Sequence, residues 1–442
     1  MIVSMLLLFA VGYAFIALEH KTRVNKAAVA LVMCAAVWTL YALAGGGDTA
    51  PKLLGSLGDT CEILVFLIGA MTIVELIDVH GGFNVITDRI RTRDKRRLLW
   101  LLATITFFMS AVLDNMTTTI VMVMLLRRLV AEQRERWIFA SIVVIAANSG
   151  GAWSPIGDVT TIMLWMRGNI SSLPLMESLF VPCAVSTVVP VALAARTIGR
   201  GEVSHARTAA ATLPPGVGQR MSRAILVAGT AGLLFVPVFK ELTGLPPYMG
   251  MILVLGALWL LTEILYDRRD DLEEESQNRV AKVIRRIDMP TILFFLGILM
   301  TVGALQSTGL LDRAAAWLDA TVHEVFTITG VIGLLSSVVD NVPLVAACMG
   351  MYPVADAAAV AASADAAFAA SFVRDGVFWH LLAYCAGVGG SLLIIGSASG
   401  VVAMGLEKIE FVWYLKRISL LALLGYAAGI VVILAEHLLF GL

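Results

Sequence analysis

The chain has 442 residues, of which 59% are apolar and 15% charged, with a formal net charge of −1. So small a polar fraction cannot cover a soluble globule of this size, and a mean hydropathy of +0.87 points instead to an all-α polytopic membrane protein. The basic residues are concentrated in short connections and the five cysteines form no CxxC or Cys/His cluster, which excludes a nucleic-acid partner and a zinc site.

The first apolar segment, Met1–Leu18, lacks a basic leader and a small-residue cleavage site, so it reads as a retained span and not a signal peptide. Ala27–Ala44 follows, then a third span carrying Glu62, Glu75 and Asp78; Leu179–Ala195 and Ile418–Ala435 are further runs able to cross a core of about 30 Å. Basic clusters at Lys21/Arg23/Lys26, Arg89–Arg97, Arg127–Arg136, Arg196–Arg223 and Arg268–Arg286 place those connections in the cytoplasm. The segments at 45–60, 168–175 and 241–247 face outward.

Leu98–Leu126 has basic clusters at both ends, so it must start and finish on one side. It therefore reads as a re-entrant hairpin. Its centre, Ser110-Ala-Val-Leu-Asp114-Asn115-Met-Thr117, puts a carboxylate and an amide at the tip. Backbone off the helical path is tolerated at that depth only inside protein or beside a watery cavity.

The same pattern returns as Ser336-Ser-Val-Val-Asp340-Asn341, 226 positions later. Phe66-Leu-Ile-Gly69 is matched by Phe294-Phe-Leu-Gly297, and Gly150-Gly151 with Gly157 by Gly389-Gly390 with Gly396. Matches in one order imply two inverted repeats, with roughly ten crossings, two re-entrant hairpins and broken helices. The first repeat covers 1–196, a cytoplasmic linker 197–222, and the second repeat 223–442. Inverted repeats place a transporter's site at the midplane, where the broken segments meet.

An intramembrane carboxylate costs at least about 2.5–3.5 kcal/mol unless compensated, so Asp114, Asp158 and Asp340 need a reason. With the amides of Asn115, Asn341 and Asn148 and the hydroxyls of Ser110, Thr117, Ser149, Ser336 and Ser391, they form an all-oxygen environment suited to Na⁺ or Li⁺. Ser110 and Ser336 precede their aspartates by one turn and would share their face. The same carboxylates accept protons, so one site can exchange a sodium ion bound at Asp114, Asp340 or Asp158 for H⁺. Glu62, Glu75 and Asp78 form a candidate proton path, although Glu75 has no acidic counterpart at Gly303. The six histidines show no ligand spacing; His20 and His80, at predicted cytoplasmic ends, are expected to be solvated.

Four passages resemble the NhaD type of bacterial sodium/proton antiporter: Gly69–Asp78, Ser110–Thr119, Ala147–Thr161 with Asp158, and Ser336–Pro343. The resemblance implies a scaffold domain and a mobile transport domain with elevator-like movement, a homodimer, a multi-pass location in the bacterial inner membrane, and roles in ion binding or translocation for Ser110, Asp114, Asn115, Thr117, Asn148, Asp158, Ser336, Asp340, Asn341 and Ser391. It implies no cofactor beyond the transported Na⁺ or Li⁺ and H⁺.

The main rival is an anion or metalloid carrier for arsenite or a dicarboxylate, since helix N-termini at the tips favour anions. Aspartates at both tips, and breaks without Arg or Lys, argue against it. HExxH, GxSxG and a P-loop are absent, which removes the usual signs of an enzyme, and inverted halves favour alternating access over a channel.

Overall fold

The computed structural model describes residues 2–17, 22–44, 48–84, 90, 92–199, 201–203, 218–267, 280–338, 340–363 and 365–440. His20, Lys21, Arg89 and His205, and most of the 197–222 linker, lie outside the described residues.

The chain folds into helices wherever the apolar runs are long. In order they are α1 (Ile2–Ala17), α2 (Lys26–Leu43), α3 (Thr49–Val79), α4 (Lys95–Leu113), α5 (Asn115–Leu129), α6 (Gln133–Ala152), α7 (Val159–Met166) and α8 (Ser172–Thr197). The second half continues with α9 (Gln219–Thr243), α10 (Pro247–Asp267), α11 (Met289–Ser307), α12 (Leu310–Thr321), α13 (Val325–Ser336), α14 (Asn341–Met351), α15 (Val377–Gly389), α16 (Ala398–Glu407) and α17 (Ser419–Phe440). Among the described residues, eight helices are long and apolar enough to cross a membrane. The protein is an all-α, multi-pass membrane protein.

The stretch Leu98–Leu126 is divided at Asp114, whose φ of +72° is foreign to a helix and ends α4. Helices α4 and α5 pack on each other as a helix–turn–helix, and α13 with α14 repeats this around Asp340. Two more helices are interrupted. The first runs as α6, stops at Ala152, and resumes as α7 with Asp158 as its N-cap; the second runs as α15 and resumes as α16 with Ser397 as its N-cap.

The two halves repeat one another at the level of single contacts. Ser110 Oγ donates to the Ala147 carbonyl at 2.6 Å, and Ser336 Oγ donates to the Ala386 carbonyl at 2.8 Å. A Cβ on Gly150 would strike the Phe107 carbonyl oxygen, and one on Gly389 would strike the Gly333 carbonyl oxygen. Each Gly-Gly break therefore exists so that a hairpin arm can lie backbone-to-backbone against a broken helix. The halves also interlock, with α5 packed on α16 and α14 on α7. Around this centre, α2, α3, α9, α10 and α11 pack mainly on one another.

His80 is not solvated as its terminal position suggested. It is fully buried, with Nδ1 2.7 Å from the Leu76 carbonyl and Nε2 2.7 Å from the Tyr266 hydroxyl. The α3 end is covered by α10, which brings Tyr266 over the ring and removes the water the sequence reading supplied.

Candidate functional site

The interlocked tips and breaks enclose a buried polar cluster. Asn115 sits on the first tip and donates through Nδ2 to Asp158 Oδ2 at 2.6 Å and to Asn148 Oδ1 at 3.2 Å. The Asp158 carboxylate also caps α7, its Oδ1 accepting from the Thr160 amide and hydroxyl at 2.9 Å each. Asn341, from the second tip, faces the same carboxylate. Thus residues from both hairpins address one aspartate.

Asn148 extends the cluster into the second break. Its Nδ2 donates to Ser391 Oγ and Ser397 Oγ at 2.9 Å each, and its Oδ1 accepts from Ser399 Oγ at 2.6 Å. Asn115, Asn148, Asp158, Asn341, Ser391, Ser397 and Ser399 are all buried. Every hydrogen-bonding atom of the Asn148 amide is engaged, as burial of a polar side chain in an apolar protein requires.

The other two aspartates stand at the edges of this cluster, half-buried, each in its own cavity. Asp114 Oδ1 accepts from the Thr117 amide at 2.8 Å and Oδ2 from the Thr117 hydroxyl at 2.7 Å. It lines a cavity of about 200 Å³ together with Glu75, Asp78, Arg286, Asp288 and Thr291. Arg286 lies 3.9 Å from Glu75. Asp340 opens on a second cavity of about 170 Å³ shared with Tyr13, Lys26 and Ser397, and Lys26 Nζ is 3.0 Å from its Oδ2.

Several sequence expectations meet a different geometry. Asp114 and Asp340 line separate cavities, and among the described residues no group of three His, Cys, Asp or Glu side chains could jointly hold a metal ion. Amides and hydroxyls surround Asp158, an arrangement that limits repulsion between carboxylates in an apolar medium. Ser110 and Ser336 turn toward backbone carbonyls of α6 and α15 instead of toward their aspartates. Ser149 accepts from Ser186 Oγ on α8 at 2.9 Å, away from the cluster. Glu75 and Asp78 do reach the Asp114 cavity, whereas Glu62 is not among its lining residues.

Lys26 and Arg286, which belong by sequence to basic clusters of cytoplasmic connections, were not among the expected site residues, and neither was the Glu407 clasp. Glu407 is fully buried at the end of α16 and binds Arg127 and Arg136 at 2.8 Å each, tying the first hairpin to the second break. A lone acidic residue at the end of an apolar helix was the available signal.

A family model described as citrate transporter matches residues 13–373. The chain is 45% identical to sodium/proton antiporter 1 of Arabidopsis thaliana over 98% of its own length and 72% of that protein. It is 29% identical to the Na(+)/H(+) antiporter NhaD of a Vibrio cholerae strain, covering 98% of this chain and 91% of that one. The crystal structure of the Alcanivorax borkumensis YdaH transporter aligns with a TM-score of 0.52 at 12% identity, over 93% of this chain and 98% of that chain. That likeness concerns the fold alone.

Proposed function

This chain belongs to the NhaD-type sodium/proton antiporters and exchanges sodium for protons across a membrane, and on that premise we propose that Asp158 is the carboxylate at which Na⁺ and H⁺ exclude one another. The observation carrying this reading is the 2.6 Å contact of Asn115 with Asp158, which lets a hairpin tip respond to the state of the buried carboxylate. With the carboxylate free, Asn115 presents its N–H₂ group. When a cation arrives, rotation of the same amide presents its oxygen instead, and the ion gains a carboxylate, an amide and hydroxyl ligands. A proton on Asp158 satisfies the charge without the ion. One site thus holds one or the other.

Asp114, with Glu75 and Asp78, supplies an acidic approach from one cavity, and Asp340 supplies a second carboxylate at the opposite tip. Ser110 and Ser336 hold the hairpins on the broken helices, and Asn341 and Ser391 complete the ligand set. The halves are 1–196 and 223–442, inverted and joined by a cytoplasmic linker at 197–222. The hairpins and broken helices move elevator-like against the α2, α3, α9, α10 and α11 group. Li⁺ is a second substrate, the assembly is a homodimer, and the location is a bacterial inner membrane.

The citrate-transporter description fits the shared architecture and not this site, where carboxylates face the cavities and Lys26 is paired with Asp340. The test is a pH-gradient measurement in everted vesicles with Na⁺, Li⁺, K⁺, arsenite and succinate added separately. Sodium and lithium should each dissipate the gradient. A response to arsenite or succinate with none to sodium would overturn the reading.

A further inference from the structure

The two hairpin tips treat their aspartates differently. Thr117 gives Asp114 both an amide and a hydroxyl hydrogen bond. At the corresponding place in the second tip stands Pro343, which has neither group to give. From its own hairpin Asp340 receives the Val342 amide at 3.3 Å. Its missing donor comes from outside the repeat pattern: Lys26, the first residue of α2, places Nζ 3.0 Å from Asp340 Oδ2 and 4.4 Å from the centre of the Phe294 ring.

We propose that Lys26 is a tethered competitor for the Asp340 carboxylate, occupying it when sodium is absent and leaving when sodium binds. This rests on Asp340 lying on the sodium route, as read above. A single carboxylate cannot be neutralised by an ammonium group at about 3 Å and by a sodium ion at once, because the two cations would repel at contact distance. The pair is 24% and 18% exposed, so water screens it and the ammonium can be exchanged. Phe294 provides the ring face on which Lys26 rests. Because α2 lies outside the interlocked tips and breaks while Asp340 lies within them, displacement of Lys26 also releases a contact between the two groups of helices. Lys26 is a positioning residue that sets the sodium concentration at which the exchanger works.

Vesicle exchange assays on Lys26→Met, Lys26→Gln and Lys26→Arg test this, with the wild type and Asp158→Asn as references. Removal of the competing charge should lower the half-saturating sodium concentration by about fivefold in the Met and Gln variants, as expected for a partly exposed pair. Lys26→Arg should stay near wild type. If Lys26 were only a clamp, the neutral variants would lose maximal rate or assembly with half-saturation unchanged or raised, and that result overturns the proposal. A readout on the wild-type protein does not depend on variant folding: amine-reactive labelling of Lys26, followed by mass spectrometry, should rise in sodium over choline. Labelling indifferent to sodium overturns the proposal as well. Failure of the wild type itself to move protons in response to sodium would instead overturn the functional reading beneath it.

Discussion

Asn115 Nδ2 lies 2.6 Å from Asp158 Oδ2, so the tip of the first hairpin is bonded to the residue that restarts the first broken helix. The contact links two segments that the chain separates by 43 positions, and it joins the hairpin tip to the side chain that caps α7. Under the proposed mechanism, a change of charge on Asp158 is felt directly at the tip.

Asp158→Asn should assemble in the membrane yet lose sodium-driven proton movement by about tenfold or more, the range of one charge-assisted hydrogen bond. Asparagine still caps α7 through the Thr160 amide, so capping alone cannot explain a loss. Asp158→Glu keeps the charge and should retain partial activity with a raised half-saturating sodium concentration. Everted-vesicle assays at several pH values measure both, and full activity in Asp158→Asn would reduce Asp158 to a cap.

Neutralising the tip aspartates should also be costly. Asp114→Asn and Asp340→Asn are each expected to abolish or severely reduce exchange while protein remains in the membrane, because under the proposed mechanism each would remove a cation ligand and a proton acceptor. Near-normal exchange by both would remove the hairpin tips from the ion route.

Gly150→Ala and Gly389→Ala should each reduce the amount of monodisperse protein recovered in detergent. Each added methyl meets a carbonyl oxygen of the backbone opposite, on Phe107 or Gly333, and backbone cannot step aside as a side-chain end can. Fluorescence-detected size exclusion compares them with Gly405→Ala, where an added Cβ meets open space. Equal recovery of all three would contradict the close packing of arms on broken helices.

Glu407→Gln leaves two guanidinium groups facing a neutral side chain at a fully buried position. A loss of about 3–5 kcal/mol is the usual result of removing one member of such a group, and Arg127, being 42% exposed, places this case at the lower end. A thermal-unfolding midpoint within experimental error of the wild type would show that the clasp is dispensable.

Arg93 and Arg134 flank the first hairpin and should both be cytoplasmic. Cysteines introduced at these exposed positions should resist impermeant maleimide in intact cells and react in everted vesicles. Reaction of one of them from outside would rule out a re-entrant hairpin and the inversion of the halves.

The sequence by itself determined the solvent of this protein and the helical class, and it carries the repeated pattern from which the two-part plan is proposed. Apolar runs and basic connections are local properties, and the duplication of Asp114-Asn115 as Asp340-Asn341 is legible because a repeat leaves identical letters at a fixed offset. The position of Asp158 after Gly150-Gly151 was equally open to reading, since a carboxylate in apolar sequence is too costly to be accidental. What only the tertiary structure decided was the pairing of these groups. Ser110 and Ser336 share a helical turn with their aspartates but point to neighbouring helices, because their hydroxyls find carbonyl acceptors across a glycine contact. Asn148 reaches Ser391, Ser397 and Ser399, and Lys26 reaches Asp340, across hundreds of positions. Spacing along a chain fixes which side chains share a helix face, whereas partners on other helices depend on how those faces pack, and no local pattern encodes that.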